Sequence, residues 1–350
     1  MVSAVGNKPR GRGMAEATAG KQDCEVKYVR TRVKAKKQDY VVGFLLGFLE
    51  ERRSRSHCYV YSDDAAAVPC SLLFGRNSSS ASFGVMSQNQ QRSVDVRGRV
   101  VMVNGSNRGI GRAILEGFLQ RGASKAYAAA RSVSSVEDLV ERYGRDRVIP
   151  ICLDVTDQSS IDKAAAIAQD VDVVVNNAGI LDLIEPLGEQ SHEFVASLQR
   201  QMDVNVLGLV RMSLAFLPIL EKKSGGGAFV QINSTSSLRC PGAHFTGYAA
   251  SKSAAYSIVQ GLRSSTHNTL IVSVHPGPIA TDMVDQFGAR DRSEPAEQVA
   301  EAIVEALKEG SFLVFPDTIS KKIGEAYMPY AEAIVLPTTK HPSTPSPDDK

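Results

Sequence analysis

This 350-residue chain lacks the cysteine patterns that would reveal a metal site or a disulfide framework. Its five cysteines form no Cys-x-x-Cys pair, and none has a histidine at metal-ligand spacing, which argues against structural zinc and against paired disulfides. We therefore expect no metal, and reduced thiols in a reducing compartment. Cys152, which ends an apolar run, is predicted to be a small buried hydrophobic residue.

The chain also lacks a strong net charge, which is only +2 for the whole sequence. Residues 1–97 hold 16 lysines and arginines against 9 acids, and the rest holds 24 against 29. The simplest interpretation is a basic extension on a mildly acidic globular part of one or two domains. Because no nucleic-acid-binding motif accompanies the basic residues, we expect no nucleic acid partner.

No long apolar run precedes residue 98. The run Tyr40–Leu49 has ten residues, whereas a membrane span needs about 20, so no integral membrane span is expected. Residues 1–95, with a Ser/Asn/Gln-rich stretch at 77–93, are predicted to be a basic, low-complexity and mostly disordered extension. We expect a cytoplasmic protein. The alternative is targeting to a mitochondrion or plastid through the basic segment, although its acidic residues count against this.

From residue 98 onward, predicted strands alternate with predicted helices. The strands fall near 99–104, 125–130, 147–152, 171–176, 227–233, 269–275 and 311–315. The helices fall near 109–122, 134–143, 157–169, 193–221, 246–265 and 294–309. Such alternation predicts an α/β fold, a doubly wound parallel sheet of the Rossmann type, over 96–325. Residues 326–350 are predicted to be a tail, rich in Pro, Ser and Thr at its end.

A glycine-rich turn follows the first of these strands. The apolar run Val100–Val103 leads into Gly105-Ser106-Asn107-Arg108-Gly109-Ile110-Gly111, and a helical pattern begins there. Glycines let the backbone approach a pyrophosphate closely, and the helix N-terminus offers unpaired N–H groups. The spacing differs from G-x-G-x-x-G, and a plain tight turn is the alternative, but strand before and helix after favour dinucleotide binding.

Further polar segments end the later strands, where open α/β sheets bind ligands. They are Asp154-Val155, Asn176-Asn177-Ala178-Gly179, Gln231 to Ser234, and His275-Pro276-Gly277-Pro278 with Thr281 behind it. For Asp154 the alternative interpretation is a helix N-cap.

Tyr248 and Lys252 are four residues apart in a predicted helix, so they share one helix face. A phenol is a poor acid near neutral pH, because its pKa is about 10. A lysine ammonium nearby favours the phenolate, and we therefore expect Lys252 to lower the pKa of Tyr248 towards a working range. Taken alone, this spacing also arises by chance on a surface helix.

Together these motifs resemble the short-chain dehydrogenase/reductase family from about Val96 to about Pro316. The glycine turn, Asn-Asn-Ala-Gly, a strand-end serine, Tyr-x-x-x-Lys and Pro-Gly occur in the family's order. One departure is that the family's catalytic serine usually precedes the tyrosine by 13 positions, whereas Ser234 precedes Tyr248 by 14. The strand register favours Ser234, and Ser236 remains the other candidate.

The resemblance implies an NADP(H)-dependent oxidoreductase that interconverts a carbonyl and a secondary or primary alcohol. Ser234 would hold the substrate oxygen, Tyr248 would act as general acid/base and Lys252 would assist it. Asn205 would hold a water that connects Lys252 to solvent, unless it only bonds nearby backbone. The resemblance also implies a small-molecule carbonyl or alcohol substrate and a homodimer or homotetramer.

The cofactor preference follows from the end of the second strand. NAD-specific folds place an acid there for the ribose 2′-hydroxyl, but this sequence has Ala130 followed by Arg131. Arg131 could pair with a 2′-phosphate, and Arg108 lies where NADP-using members are commonly basic. NADP(H) is therefore predicted, with NAD(H) as the alternative. The predicted cofactor-binding residues are Gly105, Ser106, Asn107, Arg108, Gly109, Ile110, Gly111, Arg131, Asp154, Val155, Asn177, Ala178, Gly179, Tyr248, Lys252, Pro276, Gly277, Ile279 and Thr281.

Three segments are candidate substrate walls: Ile180–Leu187, Arg239–Gly247 and Asp282–Arg292. The last is short, which predicts an open pocket without a large lid. Two other functions remain open. One is a catalytically idle NADP(H)-binding regulatory protein, and the other is a sugar-nucleotide epimerase or dehydratase on the same fold. The intact Ser, Tyr and Lys set argues against the first, and the short C-terminal part against the second.

Overall fold

The computed structural model describes residues 92–337, together with the backbone of 26–35, 38–47, 59–61 and 68–69. The rest of the predicted extension, the end of the tail from residue 338 and the cysteines Cys24, Cys58 and Cys70 lie outside the described residues. The chain divides into two units, Met1–Met86 and Ser87–Lys350.

Four strands of the first unit form an antiparallel sheet that the sequence analysis did not predict. They are β1 (Val26–Ala35), β2 (Gln38–Gly47), β3 (Tyr59–Tyr61) and β4 (Val68–Pro69), paired in that order. Residue Ala35 is paired with Gln38 at the β1–β2 connection. The two long strands are rich in Val and aromatic residues, which favour strands.

The second unit contains a parallel sheet of seven strands, as the alternation predicted. The strands are β5 (Val100–Asn104), β6 (Lys125–Ala130), β7 (Val148–Cys152), β8 (Val173–Asn176), β9 (Gly227–Ile232), β10 (Thr269–Val274) and β11 (Leu313–Val314). Their order in the sheet is β7-β6-β5-β8-β9-β10-β11. The chain therefore runs outward from β5 in one direction and then outward from β8 in the other. This is the doubly wound Rossmann order, and the predicted fold class is confirmed.

Helices cover both faces of this sheet. They are α1 (Gly109–Gln120), α2 (Glu137–Tyr143), α3 (Gln158–Ile167), α4 (Phe194–Met202), α5 (Gly208–Leu220), α6 (Thr246–Ser265), α7 (Asp282–Asp285), α8 (Glu297–Glu309) and α9 (Thr318–Tyr330). The single helix predicted near 193–221 contains a π-helical turn at Asp203–Leu207. The helix α9 was not predicted. Its start is fixed by Asp317, which forms a capping box with Ser320.

The core has one layer on each side of the sheet, because successive strand side chains point to opposite faces. Val101 and Val103 of β5 pack in the layer that contains α1 and α8. Met102 between them packs in the opposite layer, with α3, α5 and part of α6. Gly117 lets α1 approach α8 closely, since a Cβ there would lie 3.0 Å from the Ala300 Cβ.

One helical stretch, Ser191–Leu220, has the length and apolar composition of a membrane span. Half of its most apolar window is buried inside the domain. It includes Met212 and Phe216, which are fully buried against the sheet. A central helix of a doubly wound fold meets the same criterion, so this is weak evidence for a membrane segment.

The Rossmann-type domain extends beyond the predicted range of 96–325 at both ends. Val94 is buried, and its N–H donates to the Leu307 carbonyl at 2.7 Å. At the other end, Tyr327 lies within the predicted tail, but its hydroxyl lies 3.1 Å from that of Tyr256. Residues 326–336 therefore continue the domain as the end of α9 and a following π-helical turn.

Cys152 was predicted to be buried, and this was wrong. The residue is exposed, with its Sγ 3.4 Å from the Arg131 carbonyl oxygen. The reason is its place in the sheet, because β7 is an edge strand and Cys152 is its last residue.

We predict that a shortened chain, Ser87–Lys350, folds as the full chain does, because it keeps Val94 and Val96 in the core. A chain beginning at Gly98 loses both valines and should be less stable by about 3–6 kcal/mol, at about 1.5–3 kcal/mol for each buried valine. Urea denaturation of the two shortened chains and the full chain measures the difference. Equal stability of the two shortened chains would contradict the packing of this segment.

Candidate active site

The glycine turn after β5 is a crowded backbone that only glycines allow. Gly105 and Gly109 have φ angles of 65° and 55°, in the left-handed region that favours glycine. A Cβ on Gly111 would clash with the carbonyl oxygen of Gly105, and a Cβ on Gly105 would lie 2.9 Å from Asn177 Nδ2. The glycines therefore let the turn pack tightly against the segment after β8.

The helix that follows opens onto a cavity of about 840 Å3, within the range of roughly 300–1,000 Å3 that holds small molecules. Arg108 is the N-cap of α1 and makes no side-chain cap. The amides of the first helical turn are thus left for a ligand, which suits a pyrophosphate. Twelve predicted cofactor-binding residues line the cavity: Gly105, Asn107, Arg108, Gly109, Ile110, Arg131, Asp154, Val155, Asn177, Ala178, Gly179 and Thr281. These residues fit a nicotinamide dinucleotide.

Asn104, which the sequence analysis passed over, fixes this edge of the sheet. Its Oδ1 accepts the amides of Asn177 and Ala178, both at 2.7 Å. Its Nδ2 donates to Asn176 Oδ1 at 2.5 Å, and Asn176 in turn donates to Gln231 Oε1 at 2.7 Å. The sequence did contain a signal for this role, because Asn104 is a polar residue at the end of an otherwise apolar strand.

Asn177 was predicted to bind the cofactor. It does border the cavity, but its Nδ2 donates to the carbonyls of Asn104 and Gly105 at 3.1 and 3.3 Å. The side chain therefore holds the glycine turn in place. Ser106 is fully buried and within 3.3 Å of the Ala129 carbonyl, so it too lies beneath the turn and not in the cavity.

The far end of the cavity is lined by the ends of β6 and β7. Ala130 and Arg131 lie there with Ser132 and Ser135. Asp154 accepts the backbone N–H and the hydroxyl of Thr156 at 2.9 and 2.8 Å. These bonds, with the charge of Arg131 as a smaller contribution, lower the pKa of Asp154. The alternative interpretation of Asp154 as a helix N-cap is wrong, because the N-cap residue of α3 is Asp157.

The other predicted phosphate-binding arginine is paired within the protein. Arg108 Nη1 lies 2.6 Å from Asp282 Oδ2, and both side chains are mostly exposed. Such an exposed pair contributes little to stability. Arg131, at the opposite end of the cavity, has no ion pair within 4.0 Å among the described residues.

The Pro276-Gly277 turn lies outside the cavity lining and is held by Asp317, the N-cap residue of α9. The Gly277 amide donates to Asp317 Oδ2 at 2.7 Å, and Asp317 is 1% exposed. Thr281, four residues after Gly277, lines the cavity, and its Cγ2 would lie 3.0 Å from a Cβ on Gly109. Ile279 is buried between them. Asp317 was missed because its contact joins residues 40 positions apart.

Tyr248 and Lys252 lie one turn apart on α6, as predicted, and both are buried. Lys252 Nζ donates to the Ile232 carbonyl at 2.9 Å and lies 5.7 Å from the centre of the Tyr248 ring. It would also lie 3.5 Å from a Cβ on Gly179. The pair therefore adjoins the inner end of the cavity, although neither residue is part of its lining.

The expectation that Lys252 lowers the pKa of Tyr248 is not met. Burial raises the pKa of the Tyr248 phenol to about 12, and the Ser234 hydroxyl offsets only part of this rise. Burial also lowers the pKa of Lys252 to about 8. The reason is desolvation, which disfavours the charged form of both groups. At neutral pH the phenol is protonated and the ammonium charged.

Of the two candidate serines, Ser234 is the one whose side chain acts on Tyr248, since it lowers the pKa of the phenol. It follows β9 and is 9% exposed. Its Oγ also accepts the Ser236 amide at 3.1 Å and caps the 3-10 turn Thr235–Ser237. Ser236 therefore contributes its backbone and not its hydroxyl to this contact. The additional residue relative to the usual spacing lies between Ser234 and Tyr248.

Asn205 lies in the π-helical turn between α4 and α5. Its Nδ2 donates to the Ile180 carbonyl at 3.0 Å and to Ser251 Oγ at 2.9 Å, and its Oδ1 accepts the Ile180 amide at 2.9 Å. Oδ1 would also lie 3.2 Å from a Cβ on Gly179, next to Lys252 Nζ. Both donors are used, so a water could be held only through the second lone pair of Oδ1.

A sequence profile described as short chain dehydrogenase matches residues 99–292, more than half of the chain. The chain belongs to the short-chain dehydrogenase family. The resemblance inferred from the motifs is thereby confirmed. It is an oxidoreductase family whose fold binds nicotinamide cofactors.

Relatives and solved structures support this assignment. The oxidoreductase BOA17 of Botryotinia fuckeliana (strain B05.10) is 30% identical over 244 residues, which cover 66% of this chain and 86% of the relative. A short chain dehydrogenase of Burkholderia cenocepacia J2315, solved with NADP, is 28% identical with a TM-score of 0.60, over 70% of this chain and 100% of that one. A Burkholderia phymatum family member, solved with NAD, has a TM-score of 0.59 over 72% of this chain and 100% of that chain. At 21% identity, the latter shows the fold alone.

The three predicted substrate walls of this short-chain dehydrogenase contact one another. Phe245 packs edge-on against Phe287 with ring centres 5.2 Å apart, and His244 lies 3.8 Å from Glu185. These two contacts link all three segments. In the described part of the chain, no cluster of three or more His, Cys, Asp or Glu could hold a metal ion.

The position of Ser234 generates a test of the two serines. If Ser234 stabilises the developing charge on a substrate oxygen, Ser234→Ala lowers kcat about 100-fold or more, the scale for losing one such donor. Ser236→Ala is the matched control and should change kcat less than twofold, because the Ser236 hydroxyl forms no hydrogen bond with any residue that the structure describes. Steady-state rates of the two variants decide the matter, and the reverse order would assign the role to Ser236.

Proposed function

We propose that this short-chain dehydrogenase is an NADP(H)-dependent enzyme that interconverts a carbonyl compound and a primary or secondary alcohol. The observation that carries the proposal is the buried pair of Tyr248 and Lys252 one turn apart on α6, with the Ser234 hydroxyl near enough to lower the pKa of the phenol. Lys252 lies one turn further along α6, next to the cavity that the glycine turn borders. We propose that the reacting oxygen of a small molecule is held by the hydroxyls of Ser234 and Tyr248.

In the reductive direction the substrate oxygen gains negative charge and then a proton. The Ser234 hydroxyl supplies a fixed hydrogen bond to that oxygen in a largely water-free site, where it is most effective. Ser234 is held in place because its Oγ caps the following turn. When bound, the nicotinamide supplies the hydride, and the remaining steps belong to the protein's own side chains.

Tyr248 supplies the proton. Because burial raises the pKa of its phenol to about 12, the group is protonated at neutral pH, and it can give its proton to the developing alkoxide, which is a stronger base than a phenolate. Lys252, whose pKa is lowered to about 8 by burial, is still charged at neutral pH. Its ammonium stabilises the phenolate that forms when the proton leaves. Oxidation of an alcohol follows the same path in reverse.

Asn205 fits a supporting role in returning the proton. Its Oδ1 and Lys252 Nζ both approach Gly179, at 3.2 and 3.5 Å from its Cβ position. One lone pair of Oδ1 is left after the bond to the Ile180 amide. A water held there would connect Lys252 with solvent, which supports the role implied by the family resemblance.

The preference for NADP(H) is supported by charge at the adenosine end of the cavity. Arg131 faces it together with the hydroxyl residues Ser132 and Ser135, and Ala130 occupies the position where an acid would hold a 2′-hydroxyl. Asp154, an acid in the same cavity lining, already accepts a hydrogen bond from Thr156. The Burkholderia cenocepacia relative solved with NADP is consistent with this preference.

We expect Tyr248→Phe to abolish NADPH-dependent carbonyl reduction, because only the proton donor is lost, and to leave NADPH binding within about twofold. Tyr256→Phe is the matched control, since it removes a buried phenol on the same helix that bonds Tyr327 and not Ser234. The measurement is absorbance loss of NADPH with a panel of ketones, aldehydes and quinones. More than a few per cent of wild-type turnover in Tyr248→Phe would refute the assignment.

We expect Arg131→Ala to weaken NADPH binding about ten- to 100-fold, because a charge-assisted hydrogen bond contributes about 1.5–3 kcal/mol. NADH affinity should hardly change, since NADH has no 2′-phosphate. Adding Ala130→Asp to the Arg131→Ala variant should shift the cofactor preference further towards NADH, because the carboxylate repels the 2′-phosphate of NADPH.

Dissociation constants of both cofactors, measured by fluorescence titration, test this expectation. Arg142→Ala is the control, because Arg142 is an exposed arginine of α2 paired with Glu116. Equal losses for NADH and NADPH in Arg131→Ala would leave Arg131 without a role in cofactor choice.

A further inference from the structure

A row of buried polar side chains lies behind Ser234 and is used by none of the steps above. It consists of Asn233, Ser273, His275 and Ser237, each at most 7% exposed. Asn233 Nδ2 donates to Ser273 Oγ at 2.8 Å, and Ser273 Oγ lies 2.9 Å from His275 Nε2. On the other side of the ring, His275 Nδ1 lies 2.8 Å from Ser237 Oγ and 3.3 Å from the Ser234 carbonyl oxygen. The row ends where Ser237 Oγ donates to the Ser234 carbonyl at 2.5 Å.

The donors and acceptors fix the direction of every bond in this row. Ser237 gives its only proton to the Ser234 carbonyl, so towards the ring it can only accept, and His275 Nδ1 must carry a hydrogen. On the other side, Ser273 already accepts from Asn233 and can donate its proton to Nε2. The row therefore requires one tautomer of a neutral imidazole, protonated at Nδ1.

The surroundings of the ring favour this neutral form. His275 is fully buried, and burial, reinforced by the charge of Lys252, lowers the pKa of its imidazole to about 4. The ring is held edge-on by Tyr256 and stacked on Phe315, with ring centres 4.7 and 5.4 Å away. Its orientation is thus set by packing as well as by hydrogen bonds.

The row ends on the turn that carries the substrate-contacting serine. Thr235 donates its amide to the Pro276 carbonyl at 2.9 Å, and Ser234 Oγ lies 3.5 Å from the same oxygen. The residue before Pro276 is His275 itself. The imidazole therefore joins the serine turn to the Pro276-Gly277 turn, whose downstream residue Thr281 lines the cofactor cavity.

We propose that His275, as the neutral Nδ1-protonated imidazole, is a positioning residue that aims Ser234 at the reacting oxygen by holding Ser237 against the Ser234 carbonyl. The inference rests on the proposed reductase function. It does not make His275 a proton donor, because the ring reaches the reaction only through Ser237 and the backbone of Ser234.

The kinetic test compares His275→Phe, which keeps the ring packing but removes both ring nitrogens, with His275→Asn, which keeps a donor near the Nδ1 position. With NADPH and either 4-nitrobenzaldehyde or 9,10-phenanthrenequinone as the probe, His275→Phe should lower kcat at least tenfold. The KM for the probe and the NADPH dissociation constant should stay within about threefold. His275→Asn should recover most of the lost kcat. His267→Phe, the same change at an exposed histidine, is the control.

A second variant keeps the test decisive if His275→Phe fails to fold. Ser237→Ala breaks the same row one link later and should lower kcat in the same way. Where both single variants fold, the double variant should lose little more than either alone, because residues that act through one network are not additive. A kcat for His275→Phe or Ser237→Ala within twofold of wild type, or no recovery in His275→Asn, would overturn the proposal.

The tautomer is tested without any turnover, by 15N NMR of the histidine ring nitrogens in the wild-type protein with and without NADPH at pH 7. We expect one histidine with Nδ1 protonated and Nε2 unprotonated, and its signal should be lost in His275→Phe. A proton on Nε2, or on both nitrogens, would refute the inference even if the protein reduces no carbonyl probe. Absence of all reductase activity together with the expected tautomer would instead count against the proposed function and, with it, against the catalytic purpose of the row.

Discussion

The hydrogen bonds of one buried carboxamide, that of Asn104, hold together the edge of the sheet on which the site is built. Asn104 ends β5, and its side chain binds the two amides that follow β8. These two strands are neighbours at the point where the sheet order reverses, which is where a doubly wound fold binds its ligand. Without these bonds the glycine turn and the Asn177–Gly179 segment would not share one cavity wall.

Desolvation is the second force that shapes the site. The Tyr248 phenol and the Lys252 ammonium lie close together, but burial acts more strongly on both than their mutual attraction does. As a result the tyrosine is protonated and the lysine is charged at neutral pH. The imidazole of His275, in the same buried region, is neutral for the same reason. A chain of directed hydrogen bonds can persist there because none of its members changes protonation near neutral pH.

Much of this architecture could be read from the sequence because it depends on local patterns. Alternating apolar runs gave all seven strands of the parallel sheet within a few residues, and the Tyr248–Lys252 spacing placed both residues on one helix face. The glycine turn could be recognised because its function requires glycine at fixed positions next to a strand end. By contrast, β1 and β2 were not predicted, because the lysines and arginines of β1 were interpreted as part of a basic extension and the apolar run in β2 was compared only with a membrane span. The helix α9 was overlooked because it follows the last motif.

What the sequence determined by itself is the order of the elements, the family and the residue types that the chemistry requires. What only the tertiary structure decided is which of those residues meet. The Asp317 carboxylate on the Gly277 amide and the row through His275 join residues that are far apart in the chain, and the fold also brings Ser234 near enough to Tyr248 to lower its pKa. The pKa values of Tyr248 and Lys252 were likewise decided by the fold. Spacing along a helix predicts that two groups are close, but only the packing around them determines how much water remains.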